Sequence, residues 1–378
     1  MTESKPLGGK IITMPFLVFA ALAAISGVLI LKRFIFGLGS VTNISDGYPW
    51  GIWIAYDVVT GTAIACGGYS MALLVYIFNR GEYHDLVKPA LMASVFGYTL
   101  GGVSIFFDVG RWWQAYNLFL PWYSQVNSVM LEVAMCISLY IFILWIEFSP
   151  TFMEWLKMKG LLKIANRLMF IFIAIGVLLP TMHQSSLGTL MVIAGRKVSP
   201  LWQTGFIPLL ALISAITMGY AIVIFESIVS ALALDREMET PILSKLSRLM
   251  PWLIGFYLIV RFGDVIGRGQ LGLAFTGDLQ GNMFIIENIL FILPLIFLSS
   301  ARNRTRPKML FLSAALMLLA GSVYRFDLFL VAFDPGSGWR YFPALQEIMI
   351  TLGIISAEIL GYMIFVKKLP VLPEIKHA

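Results

Sequence analysis

Long apolar segments recur along the whole chain and constrain its fold more than any other feature. They run from residue 11 to residue 369, and no polar interval between them is long enough for a separate folded module. A helix of roughly 20 apolar residues matches the hydrocarbon core of a bilayer. Lipid offers no partners to backbone groups, so each segment must satisfy its own hydrogen bonds as a helix. The sequence therefore predicts an all-α integral membrane protein with a single membrane domain.

Composition supports this prediction. Hydrophobic residues make up 59% of the 378 residues and charged residues only 13%, and the mean hydropathy is +0.84. A surface exposed to water could not accommodate such a composition. We predict about ten transmembrane helices, at residues 12–36, 50–78, 87–108, 126–148, 167–194, 205–233, 249–267, 283–300, 309–333 and 345–367.

The basic residues indicate the orientation of these helices. The N-terminus, the even-numbered connections and the C-terminus hold 18 of the 27 Lys and Arg residues, whereas the odd-numbered connections hold five. By the positive-inside rule, both termini are then cytoplasmic. Lys32 and Arg33 disagree with the count, because they approach the outer end of the first helix, where they could snorkel or pair. The short basic runs between spans suit membrane lipid and not nucleic acid.

Two stretches of the sequence look alike. Residues 107–111 close the third predicted helix and residues 263–268 close the seventh, each with an Asp near a Gly and an Arg. The spacing between Asp108 and Asp264 also carries Glu132 to within one residue of Glu287. A parallel repeat of two four-helix bundles, residues 50–194 and 205–333, with flanking helices 12–36 and 345–367, would explain this. Chance similarity is the alternative.

Ionisable residues inside the predicted helices are candidates for function. A charge at the centre of a bilayer costs roughly 2.5–3.5 kcal/mol on insertion scales, so such residues are rare without a role. At 1.5 Å of rise per residue, Asp57 and Glu132 lie about 10 Å inside the outer face. The candidates are Asp57, Asp108, Glu132, His183, Glu226, Arg261, Asp264, Glu287, Arg325, Asp327 and Glu358.

Residues 178–188 combine a proline, a histidine and several hydroxyls within one span. Pro180 leaves a backbone carbonyl without its helical partner, and a neighbouring hydroxyl or a ligand can satisfy it. His183 could be a packed histidine that steadies the kink. The other interpretation is a hydrogen bond to a quinone carbonyl, with the imidazole changing protonation as the quinone is reduced.

Two further pairs and one tyrosine have both a structural and a functional interpretation. Arg261 and Asp264 lie three residues apart on one helix, and Arg325 and Asp327 lie close on another. Each pair could be a structural ion pair or a functional one. Tyr98 lies among glycines, which allow either another helix or a flat ligand to approach closely.

Carboxylates on several helices could form a proton path. Glu226 lies in the inner half of the sixth predicted helix and Glu358 near the middle of the tenth. Together with Asp57 and Glu132, they could pass protons between the cytoplasm and an outer pocket. Alternatively, Glu226 pairs with a basic side chain at the inner interface.

Cysteine and histidine counts bear on metal cofactors. Cys66 and Cys136 both fall inside predicted spans, and two cysteines are too few for an iron–sulfur cluster. A bis-histidine haem needs two imidazoles at membrane depth, but His84 and His377 are predicted in a cytoplasmic loop and tail. Only His183 remains, so we expect no haem and no metal in this chain, although a His/Met pair is formally open.

Several motifs resemble the NrfD-like, or polysulfide-reductase-like, family of quinone-interacting membrane subunits, and in particular its members from nickel–iron hydrogenases. They are residues 7–10, 37–40, 48–53, 67–68, 78–81, 180–186 and 369–373. The resemblance covers nearly the whole chain, and the Pro-Thr-Met-His-Gln-Ser-Ser segment at residues 180–186 is its most specific part.

The resemblance implies a multi-pass subunit of the bacterial inner membrane. Such a subunit passes electrons from a ferredoxin-like iron–sulfur subunit, and from the small and large hydrogenase subunits behind it, to menaquinone or ubiquinone. It would carry no metal, and proton translocation could accompany the reaction. The outward position of Asp108, Glu132 and His183, with Tyr98 nearby on the third helix, fits a quinone site facing that relay.

Two alternatives remain at this point. The chain could serve a different quinone-linked oxidoreductase that uses the same membrane module. A secondary transporter would also use broken helices and buried charges, but its substrate site would lie near the midplane of the membrane. The predicted polar cluster is shallower than that.

Overall fold

The computed structural model describes residues 5–336 and 338–372. Pro373 and His377, which entered the sequence analysis, lie outside the described residues. Within the described part, ten helices are long and apolar enough to cross a membrane. We number their helical cores α1 to α10: α1 Met14–Phe36, α2 Trp53–Ile77, α3 Val87–Asp108, α4 Val129–Trp155, α5 Lys159–Ala194, α6 Ile207–Ala233, α7 Leu249–Gly267, α8 Leu279–Ser299, α9 Pro307–Val331 and α10 Leu345–Lys368.

The predicted all-α membrane fold is confirmed, and most helix ends agree within a few residues. The largest difference is between α4 and α5, which continue beyond the apolar core and are joined by a short turn. Lys157 in this turn has a positive φ of 58°. Helices continue into the polar interface because backbone hydrogen bonding does not depend on side-chain polarity, so hydropathy alone ends them too early.

Two of the helices contain π-helical turns. In α2 these turns cover Trp53–Thr60 and Leu73–Ile77, and α9 ends in a third, Asp327–Val331. A π turn inserts an extra residue and is frequently found at functional sites. Asp57 and Asp327 both lie in such turns.

The chain forms two compact units, each built from separate stretches of sequence. The first unit contains residues up to 62, residues 87–179 and residues from 335 onward. In it, α1 packs along α10, and α3 packs on α4, α10 and the start of α2. Trp53 is fully buried in its core against Phe107 and Ile350.

The second unit contains residues 63–86 and 180–334. Its helix contacts are α6 with α9, α6 with α7, α8 with α7 and α9, and the later part of α2 with α6. Gly219 on α6 makes the last contact possible, because a Cβ there would lie 2.5 Å from the Cys66 carbonyl oxygen and 2.1 Å from Ser70 Oγ. A larger residue would separate these helices.

The residues of α2 and of α5 are each divided between the two units. The repeat itself stays a prediction. The positions it would relate have different surroundings, since Glu132 is half-buried whereas Glu287 is fully buried.

Candidate functional site

A buried glutamate organises the polar groups of the first unit. Glu347, in the first turn of α10, has no solvent exposure. Its Oε2 accepts hydrogen bonds from the backbone N–H groups of Asn43, at 3.0 Å, and Ala344, at 2.6 Å. Its Oε1 accepts from the Tyr341 hydroxyl at 2.6 Å. Neutral dipoles therefore hold this carboxylate, and the backbone N–H at the start of a helix favours its negative charge.

Tyr341 connects this glutamate to the start of α2. Its hydroxyl accepts a hydrogen bond from the Ile52 backbone N–H at 2.8 Å while it donates to Glu347. Burial and the adjacent Glu347 carboxylate raise the pKa of Tyr341 above its ordinary value. The hydroxyl therefore stays protonated and acts as a fixed bridge.

Asp57 lies in the same unit and accepts a hydrogen bond from the Thr351 hydroxyl at 3.1 Å. Asp108, at the end of α3, accepts one from the Gly51 backbone N–H, and its Oδ1 is buried without a partner. The two carboxylates are close enough to interact electrostatically. The structure thus brings together two predicted residues that lie about 50 positions apart in the sequence.

Arg33, which disagreed with the positive-inside count, is buried in this unit. Its guanidinium donates to the backbone carbonyls of Phe107, at 2.8 Å, and Val109. These carbonyls belong to the C-terminal end of α3, where helix carbonyls lack intrahelical partners and the dipole favours a cation. Arg33 is therefore a helix cap, and it lies near Asp108.

The other predicted residues of the first unit have simpler surroundings. Tyr98 is fully buried and packs edge-on against Tyr140, with 4.6 Å between ring centroids. Glu132 is only half-buried and lies in the first turn of α4. The helix begins at Val129, so Glu132 lies about 5 Å along it, and its expected depth of about 10 Å from the outer face stays a prediction. Glu358 is half-buried on α10, and Tyr56 lies near both it and Asp57.

In the second unit, His183 is part of a chain of hydrogen-bonded side chains. Its Nε2 lies 3.1 Å from Nε2 of Gln184, and Oε1 of Gln184 lies 3.4 Å from the Arg325 guanidinium. All three residues are buried. Nearby, the Tyr69 hydroxyl and the Thr181 hydroxyl are 2.7 Å apart, next to Pro180.

The hydrogen bonds among His183, Gln184 and Arg325 define which of their atoms carry protons. A guanidinium can only donate, so Oε1 of Gln184 is the acceptor and its amide NH₂ faces the imidazole. Nε2 of His183 must then accept, and a neutral imidazole with an acceptor Nε2 carries its proton on Nδ1. Protonation at Nε2 would place two donors against each other. The expected change in protonation of His183 during quinone reduction stays a prediction.

Arg325 is held by neutral acceptors. It donates to the backbone carbonyls of Gly321, at 3.1 Å, and Ala211, at 3.0 Å, and to the Ser214 hydroxyl at 3.2 Å. The expected ion pair with Asp327 is not among these contacts. Two residues i and i+2 on a helix face different directions, which explains the difference.

Arg261 forms its ion pair with Glu287 on α8, at 3.4 Å, and Asp264 pairs with Arg268 at 2.6 Å. The sequence had suggested Arg261 with Asp264. The Trp202 indole N–H also donates to Glu287, at 2.7 Å. Here the countercharge and a hydrogen-bond donor come from Arg261, whose long side chain reaches from α7 to α8.

Several polar residues with buried partners were absent from the candidate set. Gln184, Trp202, Tyr341 and Glu347 carry hydrogen bonds described above, and Glu147 on α4 lies against Gly176, where a Cβ would come within 2.3 Å of its carboxylate oxygen. Glu147 lay at the predicted end of its helix, and only the longer α4 places it inside a span. Gln184, Trp202 and Tyr341 carry no charge, so a search for charged residues inside helices does not find them.

The chain resembles three curated membrane proteins along most of its length. It is 47% identical to the "Probable Ni/Fe-hydrogenase 2 b-type cytochrome subunit" of Escherichia coli strain K12, HybB, over 99% of this chain and 96% of that one. It is 24% identical to the "Menaquinone reductase, integral membrane subunit" of Nitratidesulfovibrio vulgaris, over 89% and 86%. It is 21% identical to one subunit of the selenate reductase of Mesobacillus selenatarsenatis, over 96% and 95%.

The first of these names refers to a b-type cytochrome, and a b-type haem needs two axial ligands from the protein. His183 Nε2 faces the Gln184 amide, and His84 lies in the short helix Gly81–Leu86 beside the Tyr76 ring. The described residues contain no group of three or more His, Cys, Asp or Glu able to hold a metal ion. These residues do not fit a bis-histidine haem, and the haem-free expectation stays a prediction.

The likeness to hydrogenase-linked members of the NrfD-like family is confirmed by the first relative. A profile of the family described as "Polysulphide reductase, NrfD" also matches residues 40–333. That range includes α2 to α9 and both buried arginine clusters of the second unit. The chain therefore belongs to the polysulphide reductase NrfD family of membrane proteins.

Proposed function

We propose that this chain is the quinone-binding membrane subunit of a respiratory nickel–iron hydrogenase complex. Outside the membrane, hydrogen is split into two protons and two electrons. The electrons pass through an iron–sulfur subunit to this chain, where a quinone takes up two electrons and two protons to become a quinol. The observation that carries the proposal is the 47% identity, over nearly the full length, to a subunit named for hydrogenase 2.

The other relatives support the quinone part of the proposal. Their names place similar membrane chains in a menaquinone reductase and a selenate reductase. Enzymes with such different external reactions have in common the exchange of electrons with the membrane pool. A membrane subunit shared by them is well suited to that step, with menaquinone or ubiquinone as its substrate.

The partners follow from this reaction. A ferredoxin-like iron–sulfur subunit and the small and large hydrogenase subunits would supply the electrons, and the complex would lie in the bacterial inner membrane. Both termini of this chain would be cytoplasmic, as the distribution of Lys and Arg indicates. Protease protection of tags at the two termini, in sealed spheroplasts, tests this orientation.

The residues proposed to bind quinone are Tyr98, Asp108, Glu132 and His183. What supports them is their polarity within apolar helices and, for Tyr98 and His183, complete burial. The Gln184 contact orients the imidazole of His183, so that a quinone would meet a ring of fixed tautomer. Hydrogen bonds to the quinone carbonyls would position it and stabilise the charge that develops as electrons arrive.

Substitution of two residues tests this assignment. His183→Ala and Glu132→Gln should each lower quinone reduction by the assembled complex, while hydrogen oxidation with a soluble dye continues. Glu82→Gln is the matched control, because Glu82 forms an exposed ion pair with Lys245 at 3.0 Å. Normal quinone turnover in both test variants would contradict the assignment.

We also propose that proton transfer accompanies quinone reduction through Asp57, Glu226 and Glu358. Support comes from the position of these carboxylates within apolar helices and from the π turn that holds Asp57. If protons are drawn from the cytoplasm, turnover in sealed vesicles creates a potential worth about 2.3 kcal/mol per charge per 100 mV. The potential and internal pH are recorded for the parent and Glu226→Gln. Equal turnover and potential in both would remove Glu226 from the path, and no potential in the parent would remove the coupling.

A different quinone-linked oxidoreductase is the second candidate, favoured by the relatives named for other enzymes. Purification of the native complex distinguishes the two. Co-purifying hydrogenase subunits and hydrogen-dependent quinone reduction support the first proposal. Iron–sulfur partners without hydrogenase activity would favour the second.

A further inference from the structure

The second unit contains a buried acidic pair that the proposed quinone site and proton path do not use. Glu287 on α8 and Asp327 in the π turn of α9 both have no solvent exposure. Their carboxyl groups lie within hydrogen-bonding reach of each other. Two ionised carboxylates at that separation repel strongly in a medium of low dielectric constant.

The two carboxyl groups differ in the donors they receive. Glu287 accepts from the Trp202 indole N–H at 2.7 Å and from the Arg261 guanidinium at 3.4 Å. No described residue donates to Asp327, and both of its carboxyl oxygens are buried without a hydrogen-bond partner. The surroundings therefore stabilise a negative charge on Glu287 and offer nothing to one on Asp327.

A single proton removes both difficulties. An ionised carboxylate is only an acceptor, whereas a protonated one carries an O–H donor. If Asp327 is protonated, its O–H donates to Glu287, the repulsion disappears and one orphaned oxygen gains a partner. Such sharing of one proton between two carboxyl groups is a known solution to close acidic pairs.

The other ionisable groups of this cluster are compatible with that assignment. Arg261 lies over the rings of Phe284, at 4.9 Å, and Tyr324, at 5.9 Å from the ring centroid, and remains the cation for Glu287. Tyr257 and Tyr324 pack edge-on at 5.7 Å, and their buried hydroxyls can donate a hydrogen bond but supply no charge. Arg325 is satisfied by the neutral acceptors described above. Among the described residues, Arg261 is therefore the one cation in direct contact with Glu287.

We propose that Glu287 and Asp327 form a proton-binding site in which Asp327 is the acid and Glu287, held by Arg261 and Trp202, is the anion. The pair binds one exchangeable proton, and the O–H bond of Asp327 is directed at Glu287. This site is separate from the residues proposed to bind quinone, and its existence does not depend on the proposed function.

Infrared spectroscopy of the full-length chain tests the site, because a protonated carboxyl group has a C=O stretch that an ionised one lacks. In the purified parent, a protonated-carboxyl band should shift in D₂O. It should also shift when aspartate is labelled with ¹³C in its side-chain carboxyl group, and Asp327→Asn should remove it. Asn keeps the shape and supplies an N–H donor to Glu287, so this variant should fold.

A second variant tests the role of the anion. In Glu287→Gln, Arg261 loses its counterion, and Asp327 should ionise to replace it, which also removes the band. The matched control is Asp278→Asn at the N-terminus of α8, because Asn caps helices as well as Asp. This control should leave the band unchanged.

Other results would overturn the proposal. A band that survives Asp327→Asn unchanged would show that the proton is not on this residue. If the isotope-labelled parent has no protonated-carboxyl band from aspartate, Asp327 is not protonated, and this result needs no substitution. Either result would show that Asp327 is not the acid of the pair.

Discussion

Glu347 in the first unit and Glu287 in the second are both completely buried carboxylates, yet they are held in different ways. Glu347 accepts from two backbone N–H groups and a tyrosine hydroxyl, all of them neutral. Glu287 accepts from an arginine and an indole, and a second carboxyl group lies beside it. A negative charge in lipid can thus be stabilised by dipoles at a helix start or by a full opposite charge.

The arginines of the two units show the same contrast. Arg33 in the first unit caps the carbonyls at the end of α3, while Arg261 in the second forms an ion pair. A helix terminus supplies partial charges that are already ordered by the backbone. An ion pair instead depends on two side chains, so loss of either member leaves an uncompensated charge.

The largest expected effect is the loss of the only described ion-pair partner of Glu287. Arg261→Met should lower the free energy of unfolding by about 3–5 kcal/mol, because it leaves a buried charge without its counterion. Unfolding of the full-length chain by dodecyl sulfate in mixed micelles measures this. Arg33→Met should have a smaller effect, and an equal effect would remove the distinction between dipole and ion-pair stabilisation.

The second-largest effect is expected for Glu347, the carboxylate that neutral dipoles hold. Glu347→Gln should lower the free energy of unfolding by about 1–3 kcal/mol, since its one oxygen can accept from the two backbone N–H groups but its NH₂ then faces the Tyr341 hydroxyl, whose proton loses its acceptor. The same unfolding assay compares it with the exposed control Glu82→Gln. A change as large as that of Arg261→Met would mean that Glu347 depends on an interaction other than these hydrogen bonds.

Tyr341 gives a pH-dependent test of the first unit. Its folded-state pKa is raised above the unfolded value, so its stabilising contribution is fully present below pH of about 10 and is lost as the pH rises further. Tyr341→Phe should cost about 1 kcal/mol at neutral pH and reduce the loss of stability above pH of about 10. Unfolding curves of both proteins from neutral to alkaline pH measure this difference. Parallel curves would show that Tyr341 does not titrate differently on unfolding.

The smallest effects are expected at exposed ion pairs, one in each unit. Lys88 pairs with Glu154 at 2.8 Å and Lys245 with Glu82 at 3.0 Å, and all four side chains are at least 36% exposed. Lys88→Met and Lys245→Met should each change stability by less than about 1 kcal/mol, because water screens the pairs. High salt should reduce even this difference. A loss of stability similar to that of Arg261→Met would show that burial does not determine how much an ion pair contributes.

The fold class could be predicted because membrane solvent leaves few choices. Hydropathy located all ten helices, and α7, predicted at 249–267, was placed at Leu249–Gly267. Hydropathy predicted the helix ends incorrectly where helices continue past the apolar core, as α4 does to Trp155. Glu147 was overlooked for that reason.

The sequence by itself therefore determined that the chain is a ten-helix membrane protein with many ionisable groups inside it, because apolar length and charge are local properties of the chain. Only the tertiary structure decided the partners of those groups. Spacing suggested Arg261 with Asp264, but the ion pair is with Glu287, on another helix. Long side chains reach across helices to whichever buried charge requires them, and that choice depends on packing that no local pattern records.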